Sequence, residues 1–151
     1  METESRKVPD KLTELVELLG MVKDRSERIR MLIDTAGRFR EVPPELAVRP
    51  FSEDHRVPAC ESEAFVWGVP REDGTLKFHF AVENPQGISA KALAVVLDET
   101  LSGQPLDQVA AVSQNLVYDL FGRELSMGKS MGLIGMVVMV VAEAKKALAS
   151  G

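Results

Sequence analysis

Two short runs of alternating apolar residues constrain the fold most, because the other periodic segments of the chain have helical spacing. The first is Ala64-Phe65-Val66-Trp67-Gly68-Val69, and the second runs from Leu76 to Val82. Phe65, Trp67 and Val69 share one face of the first strand, and Leu76, Phe78, Phe80 and Val82 share one face of the second. Pro70-Arg71-Glu72-Asp73-Gly74 joins them with hairpin chemistry ending in Asp-Gly. Two strands make only a small antiparallel sheet, so the apolar surface must be covered by helices. The order helices, sheet, helices predicts a single α+β domain over residues 1–151, with the aromatic hairpin anchoring its core.

The helical segments are marked by their punctuation. Pro9 and Asp10 open the first, whose Leu12, Leu15, Val16 and Leu19 form one apolar face. Gly20 is either its stop or a tolerated break. Asp24 and Glu27 predict a capped start for a second helix with Ile29, Leu32, Ile33 and Ala36 inward, and the pair is expected to pack as a hairpin. Pro43 to Pro58 holds four prolines and little periodicity, which predicts an ordered loop or lid. Asn84-Pro85-Gln86-Gly87 is a turn. Ser89 is placed to cap a helix with Leu93, Val96, Leu97 and Leu101 inward, ended by Gly103 and Pro105. Shorter helical turns follow at 106–112 and at 114–121, the latter stopped by Gly122. The last helix is expected to start near Ser126 or Ser130, run to about Ala149, and pack on the sheet with its neighbours.

Composition narrows the function classes. The net charge is −5, with no basic stripe of the kind nucleic-acid binding requires. The longest apolar run, Met131 to Ala142, is well short of the ~20 residues that span a bilayer, so no membrane insertion is expected. The amino terminus lacks a signal-peptide pattern. The single cysteine suits a reducing compartment, and the chain reads as cytoplasmic.

That cysteine, Cys60, is the principal candidate for chemistry. It lies in His55-Arg56-Val57-Pro58-Ala59-Cys60-Glu61-Ser62, a polar loop at the mouth of the first strand. A reactive thiol needs a cation or backbone amides nearby, since an unperturbed one is only about 3% thiolate at neutral pH. His55, Arg56 and Lys129 are the available cations. The bland alternative is an inert thiol that only packs. Gly128-Lys129-Ser130 mimics the end of a phosphate loop, but Arg123 stands where that motif requires glycine. Gly128 and Gly132 have the spacing of a close helix contact, without the long apolar segment of the membrane version. His55, Cys60 and His79 lack the paired spacing of zinc ligands, so no metal is expected. A cysteine hydrolase would have to use His55 as its base, and no Gly-x-Ser-x-Gly elbow is present.

Several segments together carry a resemblance. Val57-Pro58-Ala59-Cys60-Glu61-Ser62 running into a strand, Leu101-Ser102-Gly103-Gln104-Pro105, Leu125-Ser126-Met127-Gly128-Lys129-Ser130-Met131-Gly132-Leu133 and Phe39-Arg40-Glu41-Val42-Pro43-Pro44 occur in the order seen in the SufE family. The chain resembles that family over nearly its full length. It departs where Ala59 replaces a glycine before the cysteine, which is expected to limit the loop to conformations a side chain allows, where Phe65 aligns with a tryptophan, and where Asn84-Pro85 replaces Ser-Asp. Lys129 stands for an arginine and lacks its forked geometry.

The resemblance implies a SufE-like sulfur acceptor. Cys60 would take persulfide sulfur from a PLP-dependent, SufS-like cysteine desulfurase and pass it to a SufBCD-like iron–sulfur cluster scaffold. Ser62, Lys129 and His55 are the supporting candidates, and the chain itself would need no cofactor and no metal. The persulfide is expected to be sheltered beside the Phe65–Trp67 strand. A protein-interaction module on the same fold, with a structural Cys60, is the alternative.

Overall fold

The computed structural model describes residues 7–123 and 125–150, so most of the amino-terminal stretch read for targeting lies outside them. Within the described residues, six α-helices and one hairpin follow in the order expected from the sequence: α1 (Asp10–Met21), α2 (Arg25–Ala36), β1 (Ala64–Pro70), β2 (Leu76–Val82), α3 (Ile88–Leu101), α4 (Leu106–Ala110), α5 (Leu116–Phe121) and α6 (Met127–Ser150). The fold is α+β. No helix among the described residues is long and apolar enough to cross a membrane.

β1 and β2 pair antiparallel, with Val66 opposite Phe80 and Trp67 opposite His79. This register puts the two aromatic sets on opposite faces. Phe78, Phe80, Val82 and Val66 form the inner face, covered by α3 over β2 and α6 over β1. Phe65 and Trp67 point outward, and that face is also covered. The connector after α2 folds back so that Phe51 sits 5.2 Å from both rings, with Val42 and Ala81 beside them. Its two ends also cap the sheet edges: the Val42 N–H donates to the Phe80 carbonyl (2.8 Å) and the Val57 N–H to that of Ala64 (2.9 Å). Exposed strand edges invite pairing with other chains, and this strap removes that hazard. The proline-rich segment is thus an ordered strap.

α3 is the central helix, with Leu93, Leu97 and Leu101 fully buried as its periodicity predicts. Ser89 lies within its first turn, and Gly87 occupies the cap position with no side-chain bond. α6 instead follows the expected signal, as the Ser126 hydroxyl accepts the Lys129 N–H at 3.2 Å. Gly20 is tolerated inside the last turn of α1.

The amino-terminal helices differ from expectation in two respects. α1 and α2 each pack on α3 rather than along one another. Asp24 does cap α2, accepting the Ser26 N–H at 2.9 Å. The inward side of α2, however, runs through Arg28, Met31 and Ala36, while Ile29 and Ile33 are each 49% exposed. The helix is turned by about one residue, roughly 100°, from its apolar stripe. Arg28 explains the rotation. Its guanidinium donates to the carbonyls of Leu19 (2.9 Å), Asp119 (2.9 Å) and Leu120 (3.2 Å), tying α2 to the ends of α1 and α5. Helix carboxyl ends carry the negative end of the dipole, so one cation serves both helices: it is a donor to Asp119 and Leu120 and a second donor to Leu19, which also accepts the Val22 N–H at 3.1 Å.

Candidate functional site

The loop from Val57 to Glu63 is pinned at both ends. Val57 is fully buried and bonded to Ala64, while the carbonyls of Ser62 and Glu63 accept the N–H groups of Asn84 and Glu83 at 3.1 Å. Between these anchors the backbone makes two successive turns with Cys60 at their junction, the Cys60 carbonyl accepting the Glu63 N–H at 3.0 Å. Ala59 and Glu63 both have positive φ, 56° and 53°. Pro58 followed by a residue of positive φ has the pattern of a type II turn, whose third position favours glycine. Ala59 was expected to confine the loop to conformations ordinary for a side chain. It keeps the left-handed conformation instead, at about 1–2 kcal/mol for a residue bearing Cβ.

The loop rests on a strip of glycine along α6. A Cβ at Gly132 would lie 3.0 Å from the Cys60 Cα and 3.1 Å from its Sγ, and one at Gly135 would lie 2.8 Å from a Val57 methyl carbon. One at Gly128 would overlap the Glu61 carboxylate. Gly128 and Gly132 do mark a close approach, but what approaches is the cysteine loop and not a second helix. Cys60 is therefore sheltered by α6 and the inner core. This corrects the expectation of shelter from Phe65 and Trp67, which lie on the opposite face of the sheet.

Cys60 is partly buried and lines a cleft of ≈ 330 Å³ shared with Ser62, Asn84, the start of α3 at Gly87–Ser89, and Gly128 and Lys129 of α6. Two helix amino termini thus meet at the cleft, and the first turn of α3 has no side-chain cap. Such ends favour negative charge. Glu61 and Lys129 are the cleft's two charged side chains among the described residues. Asn84 lines the wall where the family pattern places a serine before its carboxylate.

The structure brings Cys60, Ser62 and Lys129 to one cleft and sends His55 elsewhere. The His55 ring stacks on Trp67 at 5.1 Å, and its Nδ1 lies 2.9 Å from the Val66 carbonyl oxygen. It belongs to the outer-face aromatic cluster and does not line the cleft. A Cys60–His55 nucleophile pair therefore has no geometric basis here. Arg56 stays near Phe65, 6.0 Å above its ring. Among the described residues, no three side chains of His, Cys, Asp or Glu come together as a metal site.

Sequence reasoning missed the roles of Gly87 and Arg28, and it marked Gly132 as a close contact without the partner it admits. A Cβ at Gly87 would lie 2.9 Å from a Val82 methyl and 3.0 Å from Ser62, so the α3 start closes on the cysteine loop only because that side chain is absent. The glycines were visible as letters; the partner each one admits was not.

Comparison with known proteins finds a family profile and a similar solved structure. The family profile described as SufE, Fe-S metabolism associated domain, matches residues 13–144. The solution structure of a hypothetical protein from Thermus thermophilus is similar at 26% identity and a TM-score of 0.75, covering 94% of this chain and 98% of that one. No curated protein matches the chain.

Proposed function

The chain belongs to the SufE family of Fe–S metabolism, and from that membership we propose that it is a sulfur acceptor working through Cys60. In this reading a PLP-dependent cysteine desulfurase presents a cysteine persulfide to the cleft. The Cys60 thiolate attacks the terminal sulfur, a new S–S bond forms at Cys60, and the donor's S–S bond breaks. The donor cysteine leaves as thiolate and takes up a proton from solvent. Sulfane sulfur changes owner with no net oxidation, as in thiol–disulfide exchange. Cys60 then passes the sulfur to an iron–sulfur cluster scaffold. PLP belongs to the donor and is not needed by this chain.

The observation that carries the reading is the placement of the only cysteine: on a turn of two positive-φ residues, at the wall of a cleft where two helix amino termini meet. A thiol whose role is packing has no use for a strained turn. Backbone strain of this kind persists where the surroundings over-determine it, commonly at functional sites. Helix amino termini favour negative charge, which suits the anionic sulfur passed between proteins at this cleft. Lys129 and Ser62 line the same cleft, which supports an assisting role for them, and His55 does not line it.

The experiment measures turnover of a cysteine desulfurase with cysteine, alone and with the wild-type chain or Cys60→Ser. The acceptor reading predicts stimulation by the wild type and none by Cys60→Ser. Equal stimulation by both would leave the chain an interaction module with a structural cysteine.

A further inference from the structure

The rotation of α2 leaves a second feature that the chemistry of Cys60 does not use. Ile29, Leu32 and Ile33 of α2 face Ile88 of α3 and Phe121 and Leu125 across an open groove of ≈ 650 Å³. Among the described residues, fifteen line the groove; five are Lys or Arg and none is Asp or Glu, although acids outnumber bases 23 to 18 along the chain. The Arg28 head is engaged with carbonyls, so the rim charge the argument uses is that of Lys23, Arg123 and Lys129. An apolar floor with a basic rim on an acidic protein is a local inversion of surface character. Exposed apolar surface rimmed by charge marks an interaction site.

We propose that this groove docks an acidic amphipathic helix of the cysteine desulfurase that brings sulfur to Cys60; the assignment rests on the acceptor reading above. Size, charge and position each argue for that occupant. From Arg25 to Ile33 the groove follows α2 for roughly 12 Å, just over two turns of a facing helix. A helix of that length offers anchors at i, i+3 or i+4, and i+7 for an apolar floor. Carboxylates flanking those anchors would meet Lys23 and Arg123 at the rim. The groove is also continuous with the Cys60 cleft, since Ile88, Ser89 and Lys129 line both. A protein that delivers sulfur to Cys60 must cover that shared wall, and its approach lies over the groove.

A second copy of this chain is the competing occupant, because α1 carries Glu14 and Glu17 beside Leu18 and Met21, which are 53% and 74% exposed. The test uses the full chain and three proteins: wild type, the double variant Lys23→Glu/Arg123→Glu, and Ile33→Gln. All three positions are exposed, and circular dichroism melts verify that the variants fold. Affinity for the desulfurase is measured by calorimetry at low and high salt, and sulfur uptake at Cys60 is measured separately with glutathione persulfide. The groove assignment predicts a Kd weakened about tenfold in each variant, with a shallower salt dependence for the charge reversal. Uptake from glutathione persulfide should stay at the wild-type rate. Wild-type affinity in both variants overturns it, as does no binding by the wild type. So does a wild-type dimer that Ile33→Gln converts to monomer without loss of desulfurase binding. Binding without sulfur reaching Cys60 instead overturns the acceptor reading and leaves the groove comparison intact.

Discussion

Replacing Gly132 by alanine isolates the contact that holds the cysteine loop in place. The added methyl carbon would sit 3.0 Å from the Cys60 Cα and 3.1 Å from its Sγ, against an ordinary carbon contact of about 3.5–4.0 Å. The nearest atom is backbone in a loop pinned at both ends, so it cannot swing aside as a side chain would. Overpacking of this kind costs roughly 1–3 kcal/mol. Alanine also gains about 1 kcal/mol over glycine inside a helix. That gain is present whether the loop is docked or lifted, so it cancels in the loop equilibrium and survives only in global stability. The melting temperature of Gly132→Ala should therefore change little, while the loop opens more often. A shift of one to two kcal/mol corresponds to a factor of about 5–30. Alkylation of Cys60 by a bulky maleimide, followed by intact mass under native conditions, should be faster by that factor. Two controls bracket the result. Gly128→Ala meets only the flexible end of Glu61, so it should raise the melting temperature and leave alkylation unchanged. Gly135→Ala meets the fully buried Val57 and should lower global stability. If Gly132→Ala behaves like Gly128→Ala, the loop is not held against α6 and the reasoning fails.

Other perturbations have equally definite signs. Ala59→Gly removes about 1–2 kcal/mol of left-handed strain and adds about 0.5–1 kcal/mol of chain entropy to overcome. It should raise the urea midpoint by a net stabilisation of about 0.5 kcal/mol with an unchanged slope; a lower midpoint would contradict the φ of 56°. Arg28→Ala removes the side-chain donor to the Asp119 and Leu120 carbonyls of α5 and the second donor to Leu19 of α1, and should lose about 2 kcal/mol in chemical denaturation, and Arg28→Lys, lacking the fork, should recover less than half of it. Burial, followed by the charge of Lys77, holds the His79 imidazole below its ordinary 6.5. The unfolded chain therefore binds this proton more readily, so stability is full above 6.5 and falls as pH drops from there toward the folded value. His79→Gln should flatten the melting temperature across that window, and an unaltered slope would show that His79 does not set it.

Much of the fold was legible because local patterns agree with it. The hairpin, the inward Leu93, Leu97 and Leu101 of α3, the Asp24 cap and the Ser126 start of α6 all express propensity and periodicity that tertiary contacts do not oppose. α2 is the instructive failure. Its stripe of Ile29, Leu32 and Ile33 has the spacing of a buried face, yet Arg28 forms three bonds only if the helix is turned away from it. A periodicity argument weighs apolar residues and cannot see carbonyls that lie far along the chain. The candidate site was legible as one residue and one loop. Placing Cys60 just before a strand was correct, whereas pairing it with His55 rested on closeness in sequence. β1 separates the two, with His55 beside its outward Trp67 and Cys60 against α6 on the inner side. Ala59 shows the same limit, since a side chain at a glycine position reveals nothing of whether the backbone has changed or the strain has been kept.

The central claim is that the Cys60 sulfur accepts another sulfur from a donor protein. It is tested most directly by incubating the wild-type chain and Cys60→Ser with a cysteine desulfurase and cysteine, then weighing each intact chain without reductant. The account predicts one added sulfur on the wild type, lost on treatment with a thiol reductant, and no addition to Cys60→Ser. An unmodified wild type beside a turning-over desulfurase, or the same addition on both chains, would contradict it.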